Sequence, residues 1–187
     1  IRLERLLEQL LTRRGQVLAP EIHALCIVGL CQLLYTDIPA HAAVDETVSA
    51  ARQLQQPRAA GLVNAVLRRC QREGSKLGAI VDRDLAIRTS HPSWLVGALN
   101  VDWADRATAM LQENNERPPF WLRVNGRRIS GSDYRAQLEA AGLQIAATHF
   151  GDHAVMLSRA VDVNELPGFG AGLVSVQDAA AQLAAYL

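Results

Sequence analysis

Between Arg52 and Lys76 the chain carries six basic residues, Arg52, Arg58, Arg68, Arg69, Arg72 and Lys76, against one acid, Glu73. Arginine keeps its charge at any relevant pH and forks bidentately onto phosphate oxygens. On a helical wheel of PRAAGLVNAVLRRCQRE, residues Ala59, Leu62, Val63, Val66, Leu67 and Cys70 gather on one side. Arg58, Arg68, Arg69 and Arg72 fall on the other, with Gly61 and Ala65 between them. Such a stripe has the chemistry to hold a nucleic-acid backbone. It also reads as an ordinary solvated helix face, because all but one of the 19 basic residues are arginine. Spacing alone leaves both readings open.

No other residue type forms a chemical constellation. The histidines His23, His41, His91, His149 and His153 make no spaced set with cysteine or carboxylate of the kind that binds zinc. His149 and His153 flank a strand turn, and their spacing reads as accident. Phosphate-cradling loops and nucleophile elbows are not found, and Pro167-Gly168-Phe169-Gly170 reads as a loop. Cys26, Cys31 and Cys70 cannot all pair internally, and each sits on an apolar helical stripe where free cysteine acts as a small hydrophobe. All three are expected to be inert in a reduced, cytoplasmic protein. No catalytic residue, metal ligand or cofactor-binding residue is expected within the chain.

The elements that position the arginines follow from periodicity. The chain is 49% apolar and 20% charged with no net charge, a globular composition, and no apolar run is long enough to span a membrane. RLERLLEQLLTRR predicts a helix ended by Gly15. Pro20 opens a second, apolar nearly all round, which is expected at the bundle centre, with Gly29 admitting a close neighbour. AHAAVDETVSAARQL gives a third, with Ala43, Val44, Val48 and Ala51 inward, and Pro57 starts the fourth. Gly74–Thr89 is a weaker helical stretch, and further helices start at Pro92 and Trp103, with Trp94 expected as a core anchor. After Pro118-Pro119 the pattern changes. Phe120–Asn125 alternates as a strand, YRAQLEAAG is a helix capped by Ser132 or Asp133, and LQIAATHF and HAVMLSRAV are two strands. VSVQDAAAQLAAYL begins extended and turns helical near Asp178.

Several stretches together resemble a known family. GLCQLLYTDIPAHAAVDETV (Gly29–Val48) and GLVNAVLRR (Gly61–Arg69) resemble the helical RNA-binding fold of the antitermination factor NusB. They resemble more closely the copy of that domain in bacterial 16S ribosomal RNA cytosine-C5 methyltransferases of the Sun/Fmu type. SHPSWL, NNERPPFWLRVN and LPGFGAGLVSVQDAAAQLAA continue the likeness in the family's order. The resemblance implies a mainly α fold: a NusB-like bundle lacking its first helices over 1–88, then a helical connection and small α+β unit over 89–172. Residues 173–187 would open a methyltransferase domain that lies beyond the chain, and both ends are expected to be cut.

The same resemblance implies a parent enzyme that uses S-adenosylmethionine and attacks cytosine with a cysteine thiolate. The catalytic cysteines of that family stand in Pro-Cys and Thr-Cys contexts, which Cys26, Cys31 and Cys70 lack. The chain itself would then be inactive and would hold RNA through Arg58, Arg68, Arg69 and Arg72. Arg123 and Asn125 of the LRVN strand are candidates for RNA contact or for a domain interface, with Arg127 and Arg128 beside them. Implied partners are 16S ribosomal RNA and the protein's own C-terminal methyltransferase domain, with no membrane. Truncation would also favour self-association through uncovered apolar surface. Two other functions remain in view: a free-standing antitermination-type RNA-binding factor, and a helical protein–protein module.

Overall fold

In the computed structural model, which describes residues 1–13, 15–147 and 150–184, four apolar stripes close on one another. They belong to α1 (Arg2–Leu10), α2 (Pro20–Tyr35), α3 (Ala40–Gln53) and α4 (Pro57–Val81). Leu6, Leu7 and Leu10 of α1 meet Ile22, Cys26 and Leu30 of α2, Val44 and Ala51 of α3, and Val63, Val66 and Leu67 of α4. α4 packs against all three of the others. α2 packs against all three as well, but it is not the enclosed centre that its all-round apolarity predicts. Val28, Leu34 and Tyr35 of α2 are exposed, so its all-round apolarity exceeds what the bundle buries.

Gly29 performs the role its position implies. A Cβ there would lie 2.9 Å from both Leu67 methyl groups and 3.1 Å from Thr47 Cγ2. Its absence lets α2 meet α3 and α4 at the fully buried Leu67. Thr47 is buried too, and its hydroxyl is paired, donating to the Ala43 carbonyl at 2.6 Å.

Two boundaries differ from expectation. α1 ends at Leu10, not at Gly15. α4 runs through the stretch that read as a weaker, separate helix. Gly74 and Gly78 lower the helix propensity there by about 1 kcal/mol each relative to Ala, yet both are buried. Tertiary contact overrides the propensity: Arg2 donates to both carboxylate oxygens of Asp82, at 2.7 and 2.8 Å, and to the Tyr35 hydroxyl at 2.7 Å. A Cβ on Gly78 would stand 3.2 Å from the same guanidinium. α4 is held to α1 at its far end by this fork.

The first compact unit comprises Ile1–Asn115 and the second Glu116–Leu187. The short helices α5 (Leu85–Arg88), α6 (Ser93–Asp102) and α7 (Ala107–Glu113) thus group with the bundle. Ala86, Val96 and Leu111 form their small core. Asn114 donates to His91 Nε2 at 2.8 Å, and Asn115 to the Thr89 carbonyl at 2.7 Å. These bonds tie the SHPSW and NNERPP stretches together. Trp94 is not a core anchor, since it is 73% exposed on the first turn of α6.

In the second unit β1 (Phe120–Val124) is the middle strand of an antiparallel sheet of order β2-β1-β3, with β2 (Ala154–Leu157) and β3 (Val174–Val176) at its sides. Leu122 and Val124 face a core with Tyr134 and Leu138 of α8 (Gly131–Ala140), Val155, Leu157 and Val174. The cap of α8 is Ser130, not Ser132 or Asp133. Its hydroxyl accepts from the Asp133 N–H at 3.1 Å and donates to the Asp133 carboxylate at 2.6 Å. LQIAATHF does not form a full strand among its described residues. Only a bridge between Ile145 and Leu157 remains, as the low strand preference of Ala146 and Ala147 would favour. β3 completes the sheet, and α9 (Ala179–Leu183) packs on β1, with Asp178 as its cap.

Two helical glycines should answer substitution with opposite signs. Gly29→Val forces methyl groups into Leu67 and should destabilise the bundle by about 1–3 kcal/mol. Gly61, exposed with no atom near its missing Cβ, should become more stable as alanine by about 0.5–1 kcal/mol. Urea midpoints of the two variants test this, and shifts of the same sign would contradict the packing of α2 on α4.

Candidate nucleic-acid interface

The charged side of α4 is built by the packing of its other side. With Ala60, Val63, Val66, Leu67 and Cys70 buried, helical geometry leaves Arg58, Arg68, Arg72 and Lys76 in solvent. Gly61 and Ala65 are exposed between them and add no bulk. Arg68 reaches only Gln71 Oε1, at 3.4 Å. Among the described residues, Arg58, Arg68 and Arg72 form no ion pair. Each guanidinium is available to an anion.

Arg69 is placed differently from the wheel reading. It is half-buried at the edge of the stripe, donating to Glu73 Oε2 at 3.0 Å and to the Leu10 carbonyl at 3.0 Å. The second bond satisfies one of the orphan carbonyls at the C-terminus of α1. Arg69 therefore fastens α1 to α4, and the free stripe is Arg58, Arg68 and Arg72.

Arg123 and Asn125 lie in the second unit at the end of β1. Arg123 is exposed on the face opposite Leu122 and Val124. The Asn125 side chain is fully engaged: its amide donates to the Gly172 carbonyl at 3.0 Å, and its oxygen accepts from the Arg127 N–H at 3.2 Å. It organises the turn after β1 and so sets where Arg127 points from. Arg128 donates to the Ala171 carbonyl.

The thiols behave as buried apolar groups in two cases out of three. Burial pushes the Cys26 thiol up to about 11 and raises that of Cys70, against a smaller opposing influence of Arg2. Cys31 is only half-buried, which corrects the expectation that all three are core-packed. No group of three or more His, Cys, Asp or Glu among the described residues is placed to hold a metal. His23 pairs with Glu4 at 2.8 Å, His91 is buried, and His149 lies outside the described residues.

The glycine-rich loop at Pro167–Gly170 offers no cradle for a nucleotide cofactor. A Cβ on Gly168 would collide with Leu173 Cδ1, so the leucine already fills the space above it. No helix among the described residues is long and apolar enough to cross a membrane.

Residues 1–72 match the NusB family model, and residues 91–164 match that of the Methyltr_RsmF/B-like, ferredoxin-like domain. Along the chain, a stretch similar to the NusB family is thus followed by one similar to the ferredoxin-like domain of the RsmF/B-like methyltransferases. Ribosomal RNA small subunit methyltransferase B of Pseudomonas putida is 48% identical over 186 residues, covering 100% of this chain and 43% of that protein. The Vibrio cholerae protein of the same name is 45% identical over 162 residues, covering 87% of this chain and 37% of that protein. The chain thus spans about two fifths of the length of the curated relatives it matches. The crystal structure of PH0851 shares the fold, with a TM-score of 0.70 at 14% identity over 98% of this chain and 42% of its own.

The free part of the stripe lies within the stretch that matches the NusB family, which ends at Arg72 within α4. The ferredoxin-like match begins at His91, upstream of the division between the compact units at Asn115 and Glu116. Arg127 and His153 acquire a place beside Arg123 that periodicity did not reveal. The one signal was Asn125-Gly126, a turn dipeptide directly after a strand, which brings Arg127 back toward it.

Neighbouring arginines on α4 should separate cleanly. Arg69→Gln should cost about 1 kcal/mol, since it removes a partly exposed charged bond to the end of α1. Arg68→Gln should stay within about 0.5 kcal/mol of the parent. Denaturant midpoints would show the split, and equal costs would put Arg69 back on the free stripe. Thiol labelling of the native protein should modify Cys31 first and leave Cys26 to unfolding. Because burial raises the Cys26 pKa from 9.0 to about 11, its contribution to stability is full below pH 9 and lost as pH rises through 11. A Cys26→Ala variant should lose that part of the alkaline decline.

Proposed function

We propose that this chain is the RNA-holding part of a small-subunit ribosomal RNA methyltransferase acting at cytosine C5. The observation that carries the reading is the row of unpaired Arg58, Arg68 and Arg72 on one side of α4. The names of its relatives supply the substrate class, ribosomal RNA of the small subunit. In this reading the bundle grips phosphates without reading sequence, and base selection belongs to the catalytic site.

The methyl donor is S-adenosylmethionine, held by a separate methyltransferase domain of the parent enzyme. It supplies the methyl group. The residues of this chain bind RNA backbone and contribute no acid, base or nucleophile. The ferredoxin-like domain favours this reading over a free-standing antitermination-type factor, which requires only the bundle. The open arginine stripe favours it over a protein–protein module.

Replacing Arg58, Arg68 and Arg72 together with Gln tests the proposal. The variant should fold normally and lose affinity for small-subunit ribosomal RNA to a similar degree across sequences. The slope of log binding constant against log salt should flatten by roughly two to three. An unchanged slope in a folded variant would reduce the stripe to a solvated face. The chain alone, given labelled S-adenosylmethionine and unmodified RNA, should incorporate no label above background, and turnover would overturn the division of labour.

A further inference from the structure

On the second unit, the end of β1 and the turn after it border an open groove of about 670 Å³. Arg123, Arg127, His153 and Ser175 line it together with Gly126 and Gly172. No carboxylate lines it. From Arg117 to Ser132 the chain holds four arginines and no acid. Among the described residues neither Arg123 nor Arg127 forms an ion pair or a side-chain hydrogen bond.

Each feature of the wall has a local cause. Arg123 stands in register with Ala154 on one neighbouring strand and Ser175 on the other, both too small to cover it. Arg127 is fixed by the Asn125 turn, which is itself bonded to Leu173 and Gly172 beside β3. Gly126 makes room for His153, since a Cβ there would lie 2.6 Å from the ring carbon Cε1. The imidazole is thereby laid against the turn. Two uncompensated guanidiniums on one concave wall repel each other, and an anion seated there relieves the repulsion.

We propose that this groove takes a phosphodiester of the RNA backbone, bound by Arg123 and Arg127 with His153 and Ser175 as further donors. The inference rests on the reading of the chain as RNA-binding and adds a second backbone contact on the ferredoxin-like domain. It also assigns unlike roles to adjacent residues. Arg123 and Arg127 touch the phosphate, Asn125 positions Arg127, and Arg128 braces the loop at Ala171.

The test uses the full chain and a short hairpin RNA, with salt titrations of three variants. Arg123→Gln/Arg127→Gln should weaken binding and flatten the salt slope by roughly one and a half to two. Arg123→Lys/Arg127→Lys should keep most of the slope, because counterion release follows charge. An unchanged slope in the Gln pair, alongside a loss in the Arg58, Arg68 and Arg72 variant, overturns the groove and leaves the stripe standing. A loss in the Gln pair with none in the stripe variant supports the groove and overturns the stripe. No loss in either overturns both. Amide shifts of Gly126 and Arg127 complete the test. If inorganic phosphate saturates them at concentrations as low as the RNA does, a free anion is the ligand and the backbone assignment falls.

Discussion

α4 has to meet two demands that helical geometry makes compatible only because they lie on opposite sides. Its inward stripe must fill the space between α1, α2 and α3, and Val63, Val66 and Leu67 do so with almost no exposure. Its outward stripe must leave charges unpaired. At 3.6 residues per turn the buried set fixes the rotation of the helix, and the rotation fixes which arginines are free. A helix rotated by one residue would bury Arg68 or expose Leu67. The core of the bundle is thus what aims the proposed RNA contacts, and no local property of the arginines does.

The same constraint explains why four neighbouring arginines do not share one role. Arg58, Arg68 and Arg72 are near the middle of the exposed side, while Arg69 lies close enough to the packed edge to meet the Leu10 carbonyl. A single position of offset changes a free cation into a clamp. The clamp has value because α1 ends at Leu10, and the last carbonyls of a helix have no donor within it. At the other end of α1, Arg2 bridges to Asp82 and Tyr35. Arginines therefore fasten α1 near both its ends, and the stripe is what is left over after that fastening.

Much of this was legible in the sequence where periodicity and packing agree. The inward faces of α3 and α4, the role of Gly29, a strand starting at Phe120 and a helix starting near Asp178 follow from spacing and residue type. What was not legible depends on partners distant in the chain. α4 continues through Gly74 and Gly78 to Asp82, which Arg2, eighty residues away in the chain, holds while its guanidinium takes the space beside Gly78. α2 reads as a centre because composition cannot tell a buried apolar helix from one with a bare face, as Val28 and Tyr35 show. Trp94 reads as an anchor for the same reason. At the candidate site, charge and period located Arg58, Arg68 and Arg72. They could not show that Asn125 is consumed by its own turn, nor that Gly126 seats His153.

The absence of net charge narrows how such a chain can hold RNA. At physiological salt a charge is screened beyond about 8 Å, so a neutral chain exerts little attraction at long range. Affinity must then come from short-range clusters in which cations outnumber acids, and it must fall steeply with salt because phosphate contact releases counterions. The sequence has two places of that kind, one on α4 and one at the end of β1, each with only two or three free arginines. Alone, either would bind weakly. Carried on one chain, they would raise each other's effective concentration at a single RNA, so that holding the substrate requires both to be satisfied. On the proposed reading, an RNA that offers phosphates to both clusters would be held more tightly than a polyanion that meets one cluster alone.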